Sequence, residues 1–353
     1  MLTDIRLQQF RSYTDTAFEL NPGVNIIVGP NASGKTNLLE AILVLARGSS
    51  YRADTSDLLQ FGQSWARLEA HTAEGQTRTF KLQSSPTLDK KFEIDNQAAT
   101  RLTPTKAIPA VLFEPNHLLL LTGSPDLRRT FLDDLIEQTE HGFGTTRRHY
   151  RRVLAQRNAL LKHNKATAEQ LFVWNIRLSE LGGQIAKQRL ALLARLNEKI
   201  SDLYSELARR PSEVTLGYAT RFPLATYESA LLHKLEADAD LDRLRGFTAA
   251  GPHRDDLTVL LDGHPLQDSA SRGETRTLVL ALKILETQTL EAALSRKPLL
   301  LLDDVFSELD GKRREALTEF LKDYQTFITT TDADVIVRHF TEGSSIILTQ
   351  QDA

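Results

Sequence analysis

The 353 residues are enough for a large core and for two structural units. At 41% hydrophobic and 25% charged the composition is that of a soluble globular protein, and no apolar run nears the roughly 18 residues of a membrane span. The net charge of −3 argues against a surface uniformly coated by nucleic acid, and the lack of cysteine excludes disulfides and thiolate metal sites.

That composition fits a reducing cytoplasm, and the opening "MLTDIRLQQF" has no apolar leader core, so a secretory signal is not expected. The nine histidines show no ligand spacing, so protein-bound zinc is not expected either.

The first third reads as strands. "DIRLQQF" and "DTAFEL" partly alternate, and "GVNIIVG" is a continuous apolar run. "WARLEAHTAEGQTRTFKLQ" reads as a hairpin turning at Glu74-Gly75, and the meander turns again at Asp95-Asn96. A further apolar run, "AIPAVLF", stops at Pro115. From about Ser124 to Arg210 the period becomes helical. Ser124-Pro125-Asp126 offers an N-cap, a proline at the first helical position and an early acid. Gly182-Gly183 is expected to weaken or kink the long helix that ends before Pro211. No long heptad array is present, so the helices form at most a short arm. Strands and helices alternate again from about Arg245: "DDLTVLLDG", then the helix "GETRTLVLALKILETQTLEAALS", then "PLLLLDD" and "TFITTT". The expected architecture is an α/β ATPase core, residues 1–120 with 245–353, split by a mainly helical lobe at 121–244.

Residues 29–36, "GPNASGKT", match G-x-x-x-x-G-K-[ST], with "VNIIV" before them and "TNLLEAILVLA" after. Strand, glycine-rich loop and helix N-terminus together make a phosphate cradle. Backbone N–H groups of Gly29, Pro30's neighbours Asn31 and Ala32, Ser33 and Gly34 would turn inward. Lys35 would reach the β- and γ-phosphates, and the Thr36 hydroxyl would hold Mg²⁺ beside Asn37. ATP and Mg²⁺ are the expected cofactors.

Such a cradle needs an acid near Mg²⁺ at the end of a neighbouring parallel strand. "LLLLDD" fits, because strands buried on both faces read as continuous apolar runs. Asp303 is the expected magnesium acid. Adjacent strand residues face opposite ways, so Asp304 duplicates it only if the strand ends between them. Asp304 then either orients the attacking water or caps the following helix, a task for which Ser307 or Asp310 is better placed.

"SRGETRTLVLALKILE" puts Ser271 and Gly273 at another helix N-terminus, upstream of the acid strand. The order of P-loop, serine-rich signature, acid strand and "SELD" resembles the head of ABC-type ATPases in their SMC-like branch. Within it the chain is similar to the RecF family, through "LQQFRSY", "GPNASGKTNLLEAI", "VLFEPNHLLLLTGSPDLRRTFLD", "RRHYRRVLAQRNALLK", "GPHRDDL", "SRGETRTL" and "LLLLDDVFSELD". These pieces span nearly the whole chain in family order. "GPHRDDL" and "GSPDLRRTFLD" are the specific ones.

The resemblance implies an ABC/SMC-like ATPase head with an N-terminal β-rich part, a helical insertion lobe and no long coiled coil. It implies an ATP-dependent homodimer in which Ser271 and Gly273 of one copy meet the γ-phosphate held by Lys35 of the other, with "SELD" crossing the interface. It also implies slow ATP hydrolysis as a switch, with Asp304 and Lys35 catalytic. The partners would be duplex, gapped or junction DNA, with RecO and RecR, in loading RecA at gaps. The setting would be a cytoplasmic, nucleoid-associated one. Glu274 stands where many relatives carry glutamine, Ala32 where glycine is frequent, and Thr331 roughly where transporters place a switch histidine. No glutamine is assigned to a Q-loop.

"HGFGTTRRHYRRVLAQRNALLKHNKATA" carries seven Lys and Arg and no acid. Arg147, Arg148, Arg151 and Arg152 cover one broad helical side. Such a side either neutralises DNA phosphates, without sequence preference, or is solvated or paired with acids elsewhere. Arg129 is expected to pair with Asp133 one turn on. Arg128, His253, Arg254 and Arg11 are weaker candidates for phosphate contact. The competing readings are an ATP-binding transporter subunit, for which the stretch between Lys35 and Asp303 is too long, and a P-loop small-molecule kinase, which leaves the signature and "SELD" without a purpose.

Overall fold

A computed structural model describes every residue of the chain except 86, 100, 101, 104, 163–166, 332–339, 341–343 and 350–353. The chain divides into two compact units, Met1–His117 with Glu286–Ala353, and Leu118–Leu285.

The first unit begins with β1 (Leu2–Phe10) and β2 (Tyr13–Glu19), a hairpin, followed by β3 (Val24–Val28) and α1 (Lys35–Arg47). The meander follows as β4 (Trp65–Thr72), β5 (Thr77–Gln83), β6 (Asp89–Ile94) and β7 (Gln97–Ala99), then β8 (Ala110–Phe113). Asp95 and Asn96 take φ 50° and 63° in the β6–β7 turn. Two left-handed central residues match the twist of the flanking strands, which is why Asp-Asn suits a tight hairpin. One antiparallel sheet runs β2-β1-β4-β5-β6-β7.

Late in the chain α9 (Arg272–Leu294) leads to β12 (Leu299–Asp303), α10 (Gly311–Leu321), β13 (Thr326–Thr330) and β14 (Ser344–Leu348). These strands complete a parallel sheet in the order β14-β3-β13-β12-β8. α1 is apolar on nearly all sides because its buried residues join those of both sheets in one core: Leu7 and Leu68 on one side, Leu301 and Phe327 on the other. Burial of that kind contributes about 1.5–3 kcal/mol per large aliphatic side chain.

The second unit holds α2 (Pro125–Thr139), α3 (Phe143–Lys162), α4 (Ala168–Asn197), α5 (Ile200–Ala208), β9 (Val214–Ala219), α6 (Tyr227–Ala237) and α7 (Ala239–Arg245). Then come β10 (Asp256–Leu261), β11 (His264–Pro265) and the single turn α8 (Leu266–Ser269). The antiparallel order is β11-β10-β9. β10 pairs with β9 along its whole length, which draws residues that the sequence reading gave to the ATPase core into the unit of helices.

α4 runs unbroken through Gly182-Gly183. A methyl at Gly182 would come within 2.9 Å of Leu231 Cδ2, and one at Gly183 within 3.1 Å of Glu228 Cβ. The glycines therefore admit α6 at close range, and the helix continues through them because packing outweighs propensity. The N-cap Ser124 makes no side-chain cap hydrogen bond, so α2 starts on Pro125 with Asp126 in its first turn.

Candidate functional site

β3 stops at Val28 and α1 starts at Lys35, leaving residues 29–34 as a tight loop. Gly34 sits at φ 93°, and a side chain there would also strike the Ser12 and Tyr13 hydroxyls. Ala32 takes φ 66°, a left-handed conformation that costs an alanine roughly 1 kcal/mol. Pro30, Asn31 and Ala32 form the exposed rim, while Ser33, Gly34 and Lys35 are buried. The loop is tied from behind by β14: the Ser33 and Thr349 hydroxyls meet at 2.7 Å, and the Thr349 N–H donates to the Val28 carbonyl at 2.9 Å. Asn37 donates to Ser12 Oγ at 2.8 Å and accepts from Arg52 at 2.5 Å.

Lys35 Nζ donates to the Gly29 carbonyl at 2.7 Å and the Pro30 carbonyl at 2.8 Å. Burial lowers the pKa of its ammonium, and the Asp304 and Asp303 carboxylates oppose that. Both acids therefore lie within electrostatic reach of the lysine.

The acid strand is not the neighbour of the P-loop strand. β13 lies between β3 and β12, so Asp303 approaches from about 10 Å away, two strand spacings across. Its carboxylate still closes on the loop. Oδ1 accepts from Thr36 Oγ1 at 3.0 Å and Thr329 Oγ1 at 2.8 Å, and Oδ2 accepts from the Tyr51 hydroxyl at 3.2 Å. Burial, and next the Asp303 charge, push the Tyr51 phenol up. β12 ends at Asp303, and Asp304 turns left-handed at φ 53° with its N–H donating to Thr329 Oγ1 at 3.0 Å. The strand thus ends between the two aspartates, and the rule of opposite faces no longer separates them. Asp304 is not the cap of α10: Asp310 is, accepting from the Arg313 N–H at 3.0 Å.

Thr36 and Asp303 converge as a hard, oxygen-seeking cation requires. Among the described residues no group of three or more His, Cys, Asp or Glu forms a metal site by itself. A cation held here needs further oxygens from phosphate and water, which suits Mg²⁺.

Ser271 and Gly273 lie in the second unit, at the start of α9. Ser271 donates through N–H and Oγ to the Glu274 carboxylate at 2.9 and 2.8 Å, and its Oγ accepts from the Glu274 N–H at 3.2 Å. This reciprocal capping box holds the Glu274 carboxyl below its ordinary range, with Arg210 at 2.9 Å adding to it. In "SELD", Phe306–Glu308 form a short 3-10 turn.

The four arginines of α3 separate. Arg147 is largely buried against Asp133, Asp134 and Glu137 at 3.3, 2.9 and 3.2 Å. Arg148 is exposed, donating to Thr145 Oγ1 at 2.9 Å and lying 3.6 Å from Glu137. Arg151 and Arg152 are exposed with no ion pair among the described residues, and α3 contains no acid. Arg157, from the same basic segment, is fully buried on Asp242 at 2.8 Å. Lys165 lies outside the described residues.

The weaker candidates are mostly structural. Arg128 is buried and bidentate on Asp256 at 2.8 and 2.7 Å. Arg129 pairs with Asp126 at 2.6 Å rather than with Asp133, because Arg189 and Arg147 already occupy that carboxylate. His253 is held by the Tyr150 hydroxyl at 2.7 Å and the Thr248 carbonyl at 3.1 Å. Arg254 is exposed, 5.2 Å over the Phe247 ring. Arg11 is bidentate on the buried Glu40 at 2.8 Å. Thr331 is exposed, past the end of β13.

Thr329, Tyr51 and Thr349 escaped the sequence reading. Thr329 sits inside an ordinary β-branched run, and Tyr51 and Thr349 reach the loop only through the fold, so no local pattern marks them.

Comparison with known proteins identifies relatives of the chain. The family described as RecF/RecN/SMC N terminal domain matches residues 1–352. A protein of Heliobacterium modesticaldum named DNA replication and repair protein RecF is 36% identical over 339 residues, 93% of this chain and 91% of that one. A solved structure of the recombination mediator protein RecF-ATPrS in the RecFOR pathway superposes with TM-score 0.89 at 27% identity, covering 100% of this chain and 98% of that one. A second, of RecF-ATP, gives 0.83 at 29% identity over 94% and 92%.

Proposed function

From the premise that the chain belongs to the RecF/RecN/SMC N-terminal-domain family, and within it to the RecF proteins, we propose that it is an ATP-dependent DNA-binding protein of recombinational repair and replication. The observation that carries this is the closure of Thr36 on Asp303 at 3.0 Å beside Lys35, with Asp304 on the same strand end.

In this reading Gly29 to Thr36 wrap the triphosphate and Lys35 leaves its two carbonyls for the β- and γ-oxygens. Mg²⁺ bound with ATP, held by Thr36 and Asp303, would neutralise phosphate charge. Asp304 orients a water. The water oxygen bonds to the γ-phosphorus, the bond to the β–γ bridging oxygen breaks, ADP leaves, and the water's proton passes to Asp304. Ser271 and Gly273 of a second copy complete the site at the γ-phosphate, so ATP closes a homodimer and hydrolysis opens it.

DNA lies against the exposed, acid-free side of α3, with Arg148, Arg151 and Arg152 on phosphates. Arg147 supports that helix from beneath. The relatives' place in the RecFOR pathway supports RecO and RecR as partners, with RecA loading as the outcome and a cytoplasmic, nucleoid-associated setting. The transporter and small-molecule kinase readings leave the basic side of α3 without a role. None of the described helices is long and apolar enough to cross a membrane.

The test is light scattering of Asp304→Asn with ATP, alone and with DNA. A dimer is expected under both conditions. A variant that binds ATP yet stays monomeric in both rules the mechanism out.

A further inference from the structure

We propose that the Thr329 hydroxyl is a positioning group that sets the geometry of both carboxylates and thereby governs the rate of hydrolysis without touching the nucleotide. The proposal rests on the ATPase reading above.

Thr329 is 1% exposed. It stands opposite Asp303 in the β12–β13 register and opposite Ile27 in the β13–β3 register, so it lies at the strand between acid and cradle. Its hydroxyl has one proton, given to Asp303 Oδ1 at 2.8 Å, with the Leu302 carbonyl a weaker alternative at 3.4 Å. Its oxygen accepts the Asp304 N–H at 3.0 Å. A single hydroxyl thus holds the carboxylate that faces Thr36 and the backbone of the next residue at the left-handed turn, φ 53°, that ends the strand.

Valine has the shape of threonine without the hydroxyl. It removes the Thr329 bond from the Asp304 amide and one donor from Asp303 Oδ1, so both acids lose part of their setting while the strand stays packed. Serine keeps the hydroxyl and loses only a methyl. Tyr51 gives an independent contrast, because its hydroxyl reaches Asp303 Oδ2 and makes no described bond to Asp304.

The experiment compares ATP turnover, ATP affinity and the Mg²⁺ concentration for half-maximal turnover in the wild-type chain, Thr329→Val, Thr329→Ser and Tyr51→Phe. Thr329→Val is expected to lower kcat about 100-fold at saturating Mg²⁺, the scale of a misplaced reacting group, with ATP affinity within about threefold. Thr329→Ser should restore most of the rate. Tyr51→Phe should raise the Mg²⁺ requirement about tenfold, as loss of an outer-shell donor does. If Thr329→Val does not fold, Thr329→Ala is read the same way. Wild-type kcat in Thr329→Val, equal losses in the valine and serine variants, or loss of ATP affinity in step with kcat each overturn the proposal alone. A wild-type chain with no turnover, with and without DNA, overturns the ATPase reading and this proposal with it.

Discussion

Arg157 belongs by sequence to the basic segment and by structure to the interior, and its replacement separates the two roles. Its guanidinium makes four bonds: Asn175 Oδ1 at 2.7 Å, Asp242 Oδ2 at 2.8 Å, Thr248 Oγ1 at 2.7 Å and the Leu235 carbonyl at 3.2 Å. Arg157 is 0% exposed and Asp242 1%. Arg157→Leu leaves the Asp242 carboxylate with the Ala249 N–H at 3.2 Å as its described partner. Stranding one charge of a buried pair costs about 3–5 kcal/mol. Adding Asp242→Asn removes the stranded charge and should recover at least about 1 kcal/mol through coupling between contacting residues. Denaturation followed by Trp174 in α4, in a Trp65→Phe background, reads the second unit, since these are the two tryptophans. A loss below about 1 kcal/mol together with weakened DNA binding would show that Arg157 acts on DNA and refute the structural assignment.

His253 gives a pH prediction. Burial lowers its pKa from 6.5 to about 4. The neutral ring donates from Nε2 to Thr248 and accepts at Nδ1 from Tyr150, an arrangement that a second ring proton breaks. A histidine whose pKa falls on folding lends stability that is complete above about pH 6.5 and is lost as pH falls toward 4, by up to roughly 3 kcal/mol. His253→Gln should flatten the Trp174-monitored stability profile across that window, and an unchanged slope contradicts the assignment. On α3, Arg151→Ala with Arg152→Ala should weaken DNA binding and reduce the slope of log K against log salt by up to about 2, whereas Arg147→Gln should act on thermal stability. A reversed pattern, measured by anisotropy and melting, would move the DNA face.

The residues that were readable in sequence are those whose chemistry is written locally. "GPNASGKT" needs its glycines and lysine at fixed spacing, and the apolar runs on either side of it mark the strand before and the helix after. "LLLLDD" announced a strand buried on both faces and its acids. The order of strands was not readable, because β13 enters between β3 and β12 from far along the chain. Arginines were readable as charge but not as surface. Arg148, Arg151 and Arg152 face solvent while Arg147 and Arg157 turn inward to acids on other elements. Gly182-Gly183 looked like a helix fault, and the reason for them is a neighbouring helix that no local window contains. Thr329 is the sharpest case: its role arises from two hydrogen bonds to a strand that is adjacent only in the folded sheet.

The proposed function requires nucleotide state to control a grip on DNA phosphates. The direct measurement is binding to duplex and gapped DNA across a salt series, with and without ATP, using Asp304→Asn to hold the nucleotide-bound form. ATP-dependent binding that falls steeply as salt rises is expected, as counterion release requires. DNA binding that is absent in every state, or equal with and without ATP, would contradict it.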